Sequence, residues 1–488
     1  MIDLRRKVLL PVFRLTEVTQ ATDALGLPRN IPKGKGRESI IYYCRPLVET
    51  HGVSRFNYNL FPMVLDRAGR PWLLAMSFLL DKMQDDSKPN MVTYSSLADD
   101  LGAFREWLDQ TPNPEEMLFQ FPQMKQQRCT YRYNGFLKSQ ISSQEVIKPT
   151  TARRRMSTVV AFYRWLIREN LFEPEHSPWI DRTSTLSFKG SYGAVLTKKV
   201  VSTDVGIKVA KATDPVDDTI LDGGKLRPLP KQEQQWVMEG LNSIGNPEMY
   251  LIFLFMIATG ARIQTATTLR VQHFTSERPV FFNALSGGGS VYKLHCGPGT
   301  GIDTKNDKQG VLQVPEPLYR ALRTYALSAR ARRRRLFAGD DSVDQYLFLT
   351  QQGTPYYRAK AEALEFDPNF TSRHSAGGAT IRKFLTNQLI PYVRKHHAPN
   401  FTMRPHDLRA TFGMNQTDIQ MELVEAGKTS LSKARDIVRQ LMWHRSAATT
   451  DLYLDYRRRL EQVYAAINGY GEQVQKWIDQ AMTGILND

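Results

Sequence analysis

Residues 443–453 read WHRSAATTDLY, and this stretch decides how the rest of the chain is interpreted. His444 and Tyr453 are nine positions apart within it. A tyrosine flanked by leucines is in most proteins a half-buried packing residue, and a single histidine is more often structural than catalytic. A phenol acts as a nucleophile where a base or a positive field activates it. The residues upstream of this stretch therefore decide between packing and chemistry.

Three upstream segments carry residue types that can activate such a phenol. They are ATGARIQTATTLRVQHF (258–274) with Arg262, TKNDKQGVLQVP (304–315) with Lys305 and Lys308, and RPHDLRATFG (404–413) with His406 and Arg409. His406 and Arg409 are three positions apart, so on a helix they share one face. The candidates in the four segments are two arginines, one lysine from the pair Lys305 and Lys308, two histidines and a tyrosine.

This set of side chains matches the needs of phosphoryl transfer without a metal ion. The transition state gathers negative charge on its non-bridging oxygens, and arginine binds such oxygens with a planar fork of donors that stays charged. Two arginines therefore provide a fixed electrostatic cradle. A lysine can protonate the leaving 5′ oxygen, and histidines can accept the proton of the tyrosine or bind the phosphate. A covalent phosphotyrosine conserves the energy of the phosphodiester, so strands can be rejoined without ATP.

The same segments resemble the motifs of the tyrosine recombinase, or phage integrase, family. TGARIQTATTLRVQHF is similar to the first arginine motif of that family, HDLRATF to its HxLRH[TS]F motif, and WHRSAATTDLY to its LGHxxxxTTxxY motif. TKNDKQGVLQVP lies where the family has its β-hairpin lysine, and KLRPLPKQEQQ (225–235) resembles the opening of its catalytic domain. The ordered set covers residues 92–456 and is highly specific.

The resemblance implies a catalytic set without a metal or a cofactor. Arg262 and Arg409 correspond to the phosphate clamp, and Lys305 corresponds to the general acid. His406 and His444 would assist proton transfer and phosphate binding, and Tyr453 would be the nucleophile. Lys308 is the rival for the lysine role. The Thr-Lys context of Lys305 and its distance from the Val-Pro end of the strand favour Lys305.

Three positions depart from the family pattern. Thr265 stands where the family has an acidic residue after the first arginine, so a carboxylate that orients Arg262 must come from elsewhere or be absent. Ala410 replaces a common histidine, and Trp443 replaces the glycine before the third-motif histidine.

The composition of the 488-residue chain agrees with a polyanionic partner. Lys and Arg number 65 against 49 Asp and Glu, a formal net charge of +16. Each neutralised phosphate of a nucleic acid releases counterions and so gains affinity. The cysteines, Cys44, Cys129 and Cys296, have no metal-ligand spacing and are typical of reduced thiols, which favours a cytoplasmic protein without a disulfide framework or a zinc site. The apolar stretch from Met249 to Ala261 is too short to cross a bilayer and predicts a buried helix.

The patterns along the chain predict a mainly α fold with a small antiparallel β-sheet, an α+β class. Residues 1–90 form an N-terminal extension, a candidate arm-binding or protein-contact domain. Residues 91–177 predict a helical domain, which the resemblance identifies as the SAM-like core-binding domain. Residues 178–225 predict a linker, and residues 226–488 correspond to the catalytic domain with a tail helix. Strand patterns lie within about 279–315 of this last part.

One predicted helix of the 91–177 domain has a strongly basic face. Met156, Val159, Val160, Tyr163 and Ile167 make its apolar stripe, and Arg153, Arg154, Arg155, Arg164 and Arg168 lie on the other face. Such charges are usually a solvated face. Arginines clustered at a helix start can also meet a phosphate backbone, so this helix is the predicted DNA-clasping element.

The function implied by the resemblance is site-specific recombination or integration through a 3′-phosphotyrosyl intermediate and a Holliday junction. The implied partners are double-stranded DNA sites and copies of the same chain, a dimer on each site and a tetramer on the synapse, with or without accessory proteins. The implied location is the cytoplasm, in association with the nucleoid and away from membranes. The implied origin of the gene is a bacterium, a phage or another mobile element. A type IB topoisomerase or telomere resolvase shares this chemistry, and a degenerate relative that only binds DNA is the non-enzymatic alternative.

The stretch after Tyr453 has apolar residues at near-helical spacing. Packing within the chain and docking on a neighbouring protomer are both consistent with it. The family pattern favours the second, so removal of residues from about 470 onward is expected to abolish synapsis or recombination while leaving DNA binding.

Overall fold

A computed structural model describes most of the chain. The described residues are 6–20, 42–46, 57–86, 89–142, 147–189, 195–209, 218–275, 280–282, 289–360, 362 and 377–486. These residues form two compact units, one that ends before residue 213 and one that begins there.

The helices of the described residues dominate both units. They are α1 (Leu73–Gln84), α2 (Met91–Leu108), α3 (Pro114–Leu118), α4 (Cys129–Ser142), α5 (Pro149–Arg168), α6 (Lys231–Ile244), α7 (Pro247–Thr259), α8 (Ile263–Thr267), α9 (Gln272–Thr275), α10 (Glu316–Leu327), α11 (Ala329–Phe337), α12 (Ala379–Phe384), α13 (Ile390–His396), α14 (Asp407–Glu425), α15 (Leu431–Leu441) and α16 (Ala447–Leu486). A π-helical turn, Leu385–Leu389, joins α12 to α13.

The strands are short and pair antiparallel. They are β1 (Lys7–Arg14), β2 (Thr16–Gln20), β3 (Tyr42–Pro46), β4 (Asn57–Val64), β5 (Asp181–Lys189), β6 (Val195–Thr203), β7 (Ile220–Leu221), β8 (Lys225–Leu226), β9 (Val280–Phe282), β10 (Ser290–Cys296) and β11 (Gly310–Pro315). The pairs are β1 with β4, β2 with β3, β5 with β6 and β7 with β8, and the one described three-stranded sheet has the order β11-β10-β9. The predicted mainly α fold with small antiparallel sheets is confirmed.

The first unit is built around an aromatic core. Its buried side chains include Trp72, Phe104, Tyr133, Phe162 and Tyr163. Strand β4 and helix α1 lie before residue 90, yet their side chains share this core with α2, α4 and α5. The compact unit therefore includes β4 and α1, because they bury apolar side chains that the helices after residue 90 cover. The division into an N-terminal extension and a core-binding domain at residue 91 stays a prediction.

Helix α5 is the predicted basic helix. The stripe of Met156, Val159, Val160 and Tyr163 is buried as predicted, whereas Ile167 is 37% exposed because it lies in the last turn of the helix. Two strands, β5 and β6, fall inside the predicted linker 178–225 and pair along Asp181 to Lys189. Alternating Ser, Thr and Lys there resemble a loop in composition while still allowing a two-stranded ladder.

The second unit has its largest core around α7. The Asn246 side chain accepts a hydrogen bond from the Met249 amide, Pro247 opens the helix, and Gly260 ends it with a left-handed backbone (φ 67°). Most of the side chains of α7 are buried, as predicted for this apolar stretch. The predicted strands near residues 279–315 are β9, β10 and β11.

A second, smaller core of this unit holds the candidate site. Ile220 and Leu226 of the β7–β8 hairpin pack there with side chains of α14, α15 and α16, among them Phe412, Met442 and Tyr453. Among the described residues no helix combines the length and the apolar composition needed to cross a membrane.

Candidate active site

Arg409 is fixed by main-chain carbonyl groups. It lies in the first turn of α14, buried, where Nη1 donates to the Gly260 carbonyl at 2.8 Å and Nη2 donates to the Met442 carbonyl. A Cβ on Gly260 would lie 2.5 Å from Phe412, so only glycine allows the end of α7 to approach α14 this closely. The guanidinium is therefore held rigidly between two chain segments.

Arg262 lies beside it in a different state. It is the residue before α8, half-buried, and its Nε is buried without a hydrogen-bond partner among the described residues. Burial and the charge of Arg409 lower the pKa of Arg262 to about 10, so the group is still charged at pH 7. A half-buried, charged guanidinium whose Nε lacks a partner among the described residues is poised to receive an anion.

Tyr453 lies in the second turn of α16 and is fully buried. Its Oη donates a hydrogen bond of 3.0 Å to Oδ2 of Asp222. Burial, followed by the charge of Asp222, raises the pKa of Tyr453 well above the usual phenol range. The phenol is therefore protonated in this arrangement.

His444 lies in the turn between α15 and α16 and is buried. Its Nε2 is 3.2 Å from Oδ2 of Asp222 and its Nδ1 is 3.0 Å from Oγ1 of Thr450. Because an ionised carboxylate only accepts, Nε2 carries the proton in this contact. Thr450, in the first turn of α16, thus helps to orient the histidine.

Asp222 was not among the residues predicted from the sequence. It sits between β7 and β8, is 6% exposed, and its Oδ2 meets Tyr453, His444 and, at 3.7 Å, Nε of Arg409. Burial alone would raise its pKa, but the hydrogen bond from His444 and the charge of Arg409 outweigh burial and hold the pKa below its usual range. The signal that could have revealed it is the Asp-Gly-Gly turn between Ile220-Leu221 and Lys225-Leu226, which is typical of a tight hairpin.

His406 precedes α14 and is half-buried. Burial and the charges of Arg262 and Arg409 lower its pKa to about 4, and Lys305 contributes in the same direction. A histidine with this pKa is neutral at pH 7 and can accept a proton or a hydrogen bond.

The two candidate lysines differ in their surroundings. Lys305 is exposed, in a short 3-10 turn. The ammonium of Lys308 donates to the Trp443 carbonyl, and burial with the charges of Arg409, Arg445 and Arg262 lowers its pKa. The structure thus brings the ammonium of Lys308 among the arginines, and the preference for Lys305 stays a prediction.

Trp443 has an unusual backbone conformation. Its φ is +53°, a left-handed value that is uncommon outside glycine. The indole Nε1 donates to the Val311 carbonyl at 3.2 Å, and a Cβ on Gly310 would lie 2.5 Å from the ring. The tryptophan therefore fastens the His444 turn to the edge strand β11.

The predicted DNA-clasping arginines of α5 are partly engaged in ion pairs. Arg154 pairs with the buried Asp100 at 3.0 Å, and Arg164 pairs with Asp181 at 3.1 Å. Arg153 is exposed and Arg155 is half-buried. The role of this face in DNA binding stays a prediction.

This chain is similar to several solved structures. No protein-family model matches the chain, and no curated protein matches it. The Tn1549 transposon integrase in complex with circular intermediate DNA is 15% identical at a TM-score of 0.39, with 78% of this chain and 94% of that chain covered. The same integrase with transposon right end DNA is 15% identical at a TM-score of 0.40, with 80% of this chain and 99% of that chain covered. A lambda integrase dimer bound to a core site is 12% identical at a TM-score of 0.38, with 78% of this chain and 95% of that chain covered. These solved structures are integrases, the class that the sequence motifs of this chain resemble.

Proposed function

We propose that this chain is a site-specific tyrosine recombinase that cleaves and rejoins DNA through a 3′-phosphotyrosyl intermediate. One observation carries the proposal: Tyr453, Arg409 and His444 converge within hydrogen-bond or ion-pair distance of a single point, Oδ2 of Asp222. Arg262 adds a second positive charge, and it lies close enough to Arg409 for the charge of Arg409 to lower its pKa. A nucleophile, two guanidinium groups and a histidine in one buried place are what phosphoryl transfer requires.

Binding of the scissile phosphate is the first step. Arg409 is held by two carbonyl groups and so meets the phosphate without reorganising, which preserves the electrostatic gain for the transition state. The Nε donor of Arg262 has no partner among the described residues, so this guanidinium can supply the second side of the clamp. The +16 charge of the chain favours association with DNA.

Cleavage follows by in-line attack. Oη of Tyr453 forms a bond to phosphorus as the bond from phosphorus to the 5′ oxygen breaks, and the phenolic proton passes to a neutral histidine. His406 is the candidate, because its lowered pKa leaves it unprotonated at pH 7. A lysine of the 305–308 turn gives a proton to the 5′ oxygen. Rejoining reverses these steps with the 5′ hydroxyl of another strand, so no external energy source is consumed. Two such exchanges in sequence pass through a Holliday junction.

A plasmid assay tests this proposal. Two copies of the DNA that flanks the gene are placed on one supercoiled plasmid and incubated with the full chain. We expect exchange between the two copies, lost in Tyr453→Phe and dependent on the flanking sequence. Relaxation of any supercoiled plasmid would instead identify a topoisomerase, hairpin ends would identify a telomere resolvase, and an absence of cleavage would leave a DNA-binding protein.

A further inference from the structure

The carboxylate of Asp222 makes contacts that a substrate would be expected to make. Its Oδ2 accepts from Tyr453 at 3.0 Å and contacts His444 Nε2 at 3.2 Å and Arg409 Nε at 3.7 Å. All three groups meet the same oxygen. This oxygen is anionic, because the pKa of the carboxyl is held below its usual range.

The proposed mechanism places Arg409 and Tyr453 at the scissile phosphate, and the family resemblance gives His444 an assisting role there. Carboxylate and phosphodiester oxygens are recognised by the same charged donors. Two anions cannot share one buried donor set without strong repulsion, since the interior screens charge poorly. The phosphate and the Asp222 carboxylate therefore compete for one place.

We propose that Asp222 is an internal stand-in for the scissile phosphate, which keeps the site closed until DNA displaces the hairpin that carries it. This inference rests on the proposed function. It explains why Tyr453 is fully buried although a nucleophile must reach a DNA backbone.

The hairpin that carries Asp222 is lightly held. Its strands have two residues each, Ile220 and Leu226 are its buried apolar side chains, and Leu221 is 67% exposed. The Asp218 carbonyl accepts from Tyr456 at 3.1 Å. Segments with few buried apolar contacts open at low free-energy cost.

Arg227 marks the end of the segment that can move. Its amide donates to Asp407 at 3.1 Å, and its guanidinium contacts the Thr402 carbonyl at 2.6 Å and Glu233 at 2.7 Å. The chain is thus clamped immediately after β8, so displacement is confined to the hairpin before it.

A competing role for Asp222 predicts the opposite result. If the carboxylate were the base that accepts the phenolic proton, its removal would slow cleavage. If it is a stand-in for phosphate, its removal opens the site to anions. The sign of the effect therefore separates the two roles.

Binding of inorganic phosphate provides the test, because it needs neither a DNA site nor cleavage. Asp222→Asn keeps the side-chain shape and removes the charge, and Asp218→Asn removes one charge from the same hairpin at an exposed position as the control. We expect phosphate, titrated against sodium chloride of equal ionic strength, to raise the Tm of Asp222→Asn, with an affinity about tenfold or more above that of the wild type and of Asp218→Asn. Equal phosphate affinity in all three proteins would overturn the inference.

A second readout covers the reaction and the fold. Covalent adduct formation with flanking DNA is expected to be faster in Asp222→Asn at low DNA concentration, and a slower reaction would overturn the inference. Ile220→Ala loosens the hairpin without changing charge and is expected to act in the same direction, so it replaces Asp222→Asn if that variant does not fold. Phosphate binding without any adduct on DNA would refute the proposed function and leave the anion site standing.

Discussion

Tyr453 illustrates how a residue of common type acquires a specific role. From the sequence it was one aromatic in a leucine-rich stretch, and its nine-residue distance from His444 was the reason to treat it as a nucleophile. The structure places its hydroxyl in a network of charged groups instead of an apolar pocket. Residue types and local spacing are visible in the sequence, and they are what allowed Tyr453 to be proposed as a nucleophile.

Asp222 could not be predicted in the same way. It lies in a segment with no helical period, and its contacts with His444 and Tyr453 span more than 200 positions of the chain. The missing acidic residue at Thr265 indicated only that a carboxylate had to come from elsewhere. Contacts at this separation depend on tertiary packing, which local patterns do not encode.

The proposal that a lysine protonates the leaving group can be tested by chemistry. In a DNA substrate whose bridging 5′ oxygen is replaced by sulfur, the leaving thiolate needs no general acid, because a thiol pKa is about 8.5 and far below that of an alcohol. We expect Lys308→Ala or Lys305→Ala, whichever removes the acid, to cleave normal DNA at least about 100-fold more slowly and to recover on the sulfur substrate.

The other lysine variant is the matched control. It is expected to show similar rates on both substrates. If neither variant recovers on the sulfur substrate, the acid lies outside the 305–308 turn, and the lysine assignment is wrong.

At the level of elements, the site depends on how closely α16 approaches α14. A Cβ on Gly413 would lie 2.5 Å from Cε1 of Tyr453 and 3.0 Å from Met442. Gly413 sits in the interior of α14, where glycine is unfavourable for helix stability. Its presence there is explained by the space that the tyrosine ring needs.

Gly413→Ala therefore tests whether the position of Tyr453 matters for the reaction. Alanine should favour the helix itself but push the ring away, so we expect adduct formation to fall at least about tenfold while DNA binding is kept. Gly135→Ala is the matched control, because Gly135 lies in a helix and a Cβ there would meet open space. Gly427→Ala is unsuitable as a control, because Gly427 has a positive φ. Wild-type rates in Gly413→Ala would show that the packing is not limiting.

Helices with strong periodic patterns were predicted better than the strands. Met156 and Tyr163 of α5 are buried as expected, and β9 to β11 lie where apolar runs indicated them. Strands β5 and β6 were missed because their Ser, Thr and Lys residues resemble a loop, and pairing partners rather than composition make them strands.

At the level of the whole molecule, α16 extends from Ala447 to Leu486 as one helix of 40 residues. Tyr453 occupies its second turn, so most of the helix lies beyond the candidate site. Ile478 is 49% exposed. An apolar side chain exposed on a long terminal helix is consistent with docking on a second copy of the chain.

Truncation after residue 469 tests that role. We expect the shortened chain to bind DNA with unchanged affinity and to form the covalent adduct, while synapsis of two sites, measured by sedimentation of the complex, is lost. A point variant, Ile478→Ser, is the milder control and should weaken synapsis in the same direction. Unchanged synapsis in the truncated chain would place the helix in a purely intramolecular role.

The domain plan was the part least accessible to sequence patterns. The functional roles assigned to residues 1–90 and 91–177 stay predictions, while β4 and α1 share one core with the helices that follow them. Composition marks loops and helices locally, but the borders of a compact unit depend on which apolar faces cover each other.

Mapping the covalent adduct tests the central claim most directly. After reaction with flanking DNA, denaturation and digestion with trypsin, the peptide from Ser446 to Arg457 contains both Tyr453 and Tyr456. The account predicts a nucleotide phosphate on Tyr453 in the fragment spectrum, lost in Tyr453→Phe and kept in Tyr456→Phe. An adduct on any other residue, or one that persists in Tyr453→Phe, would contradict it.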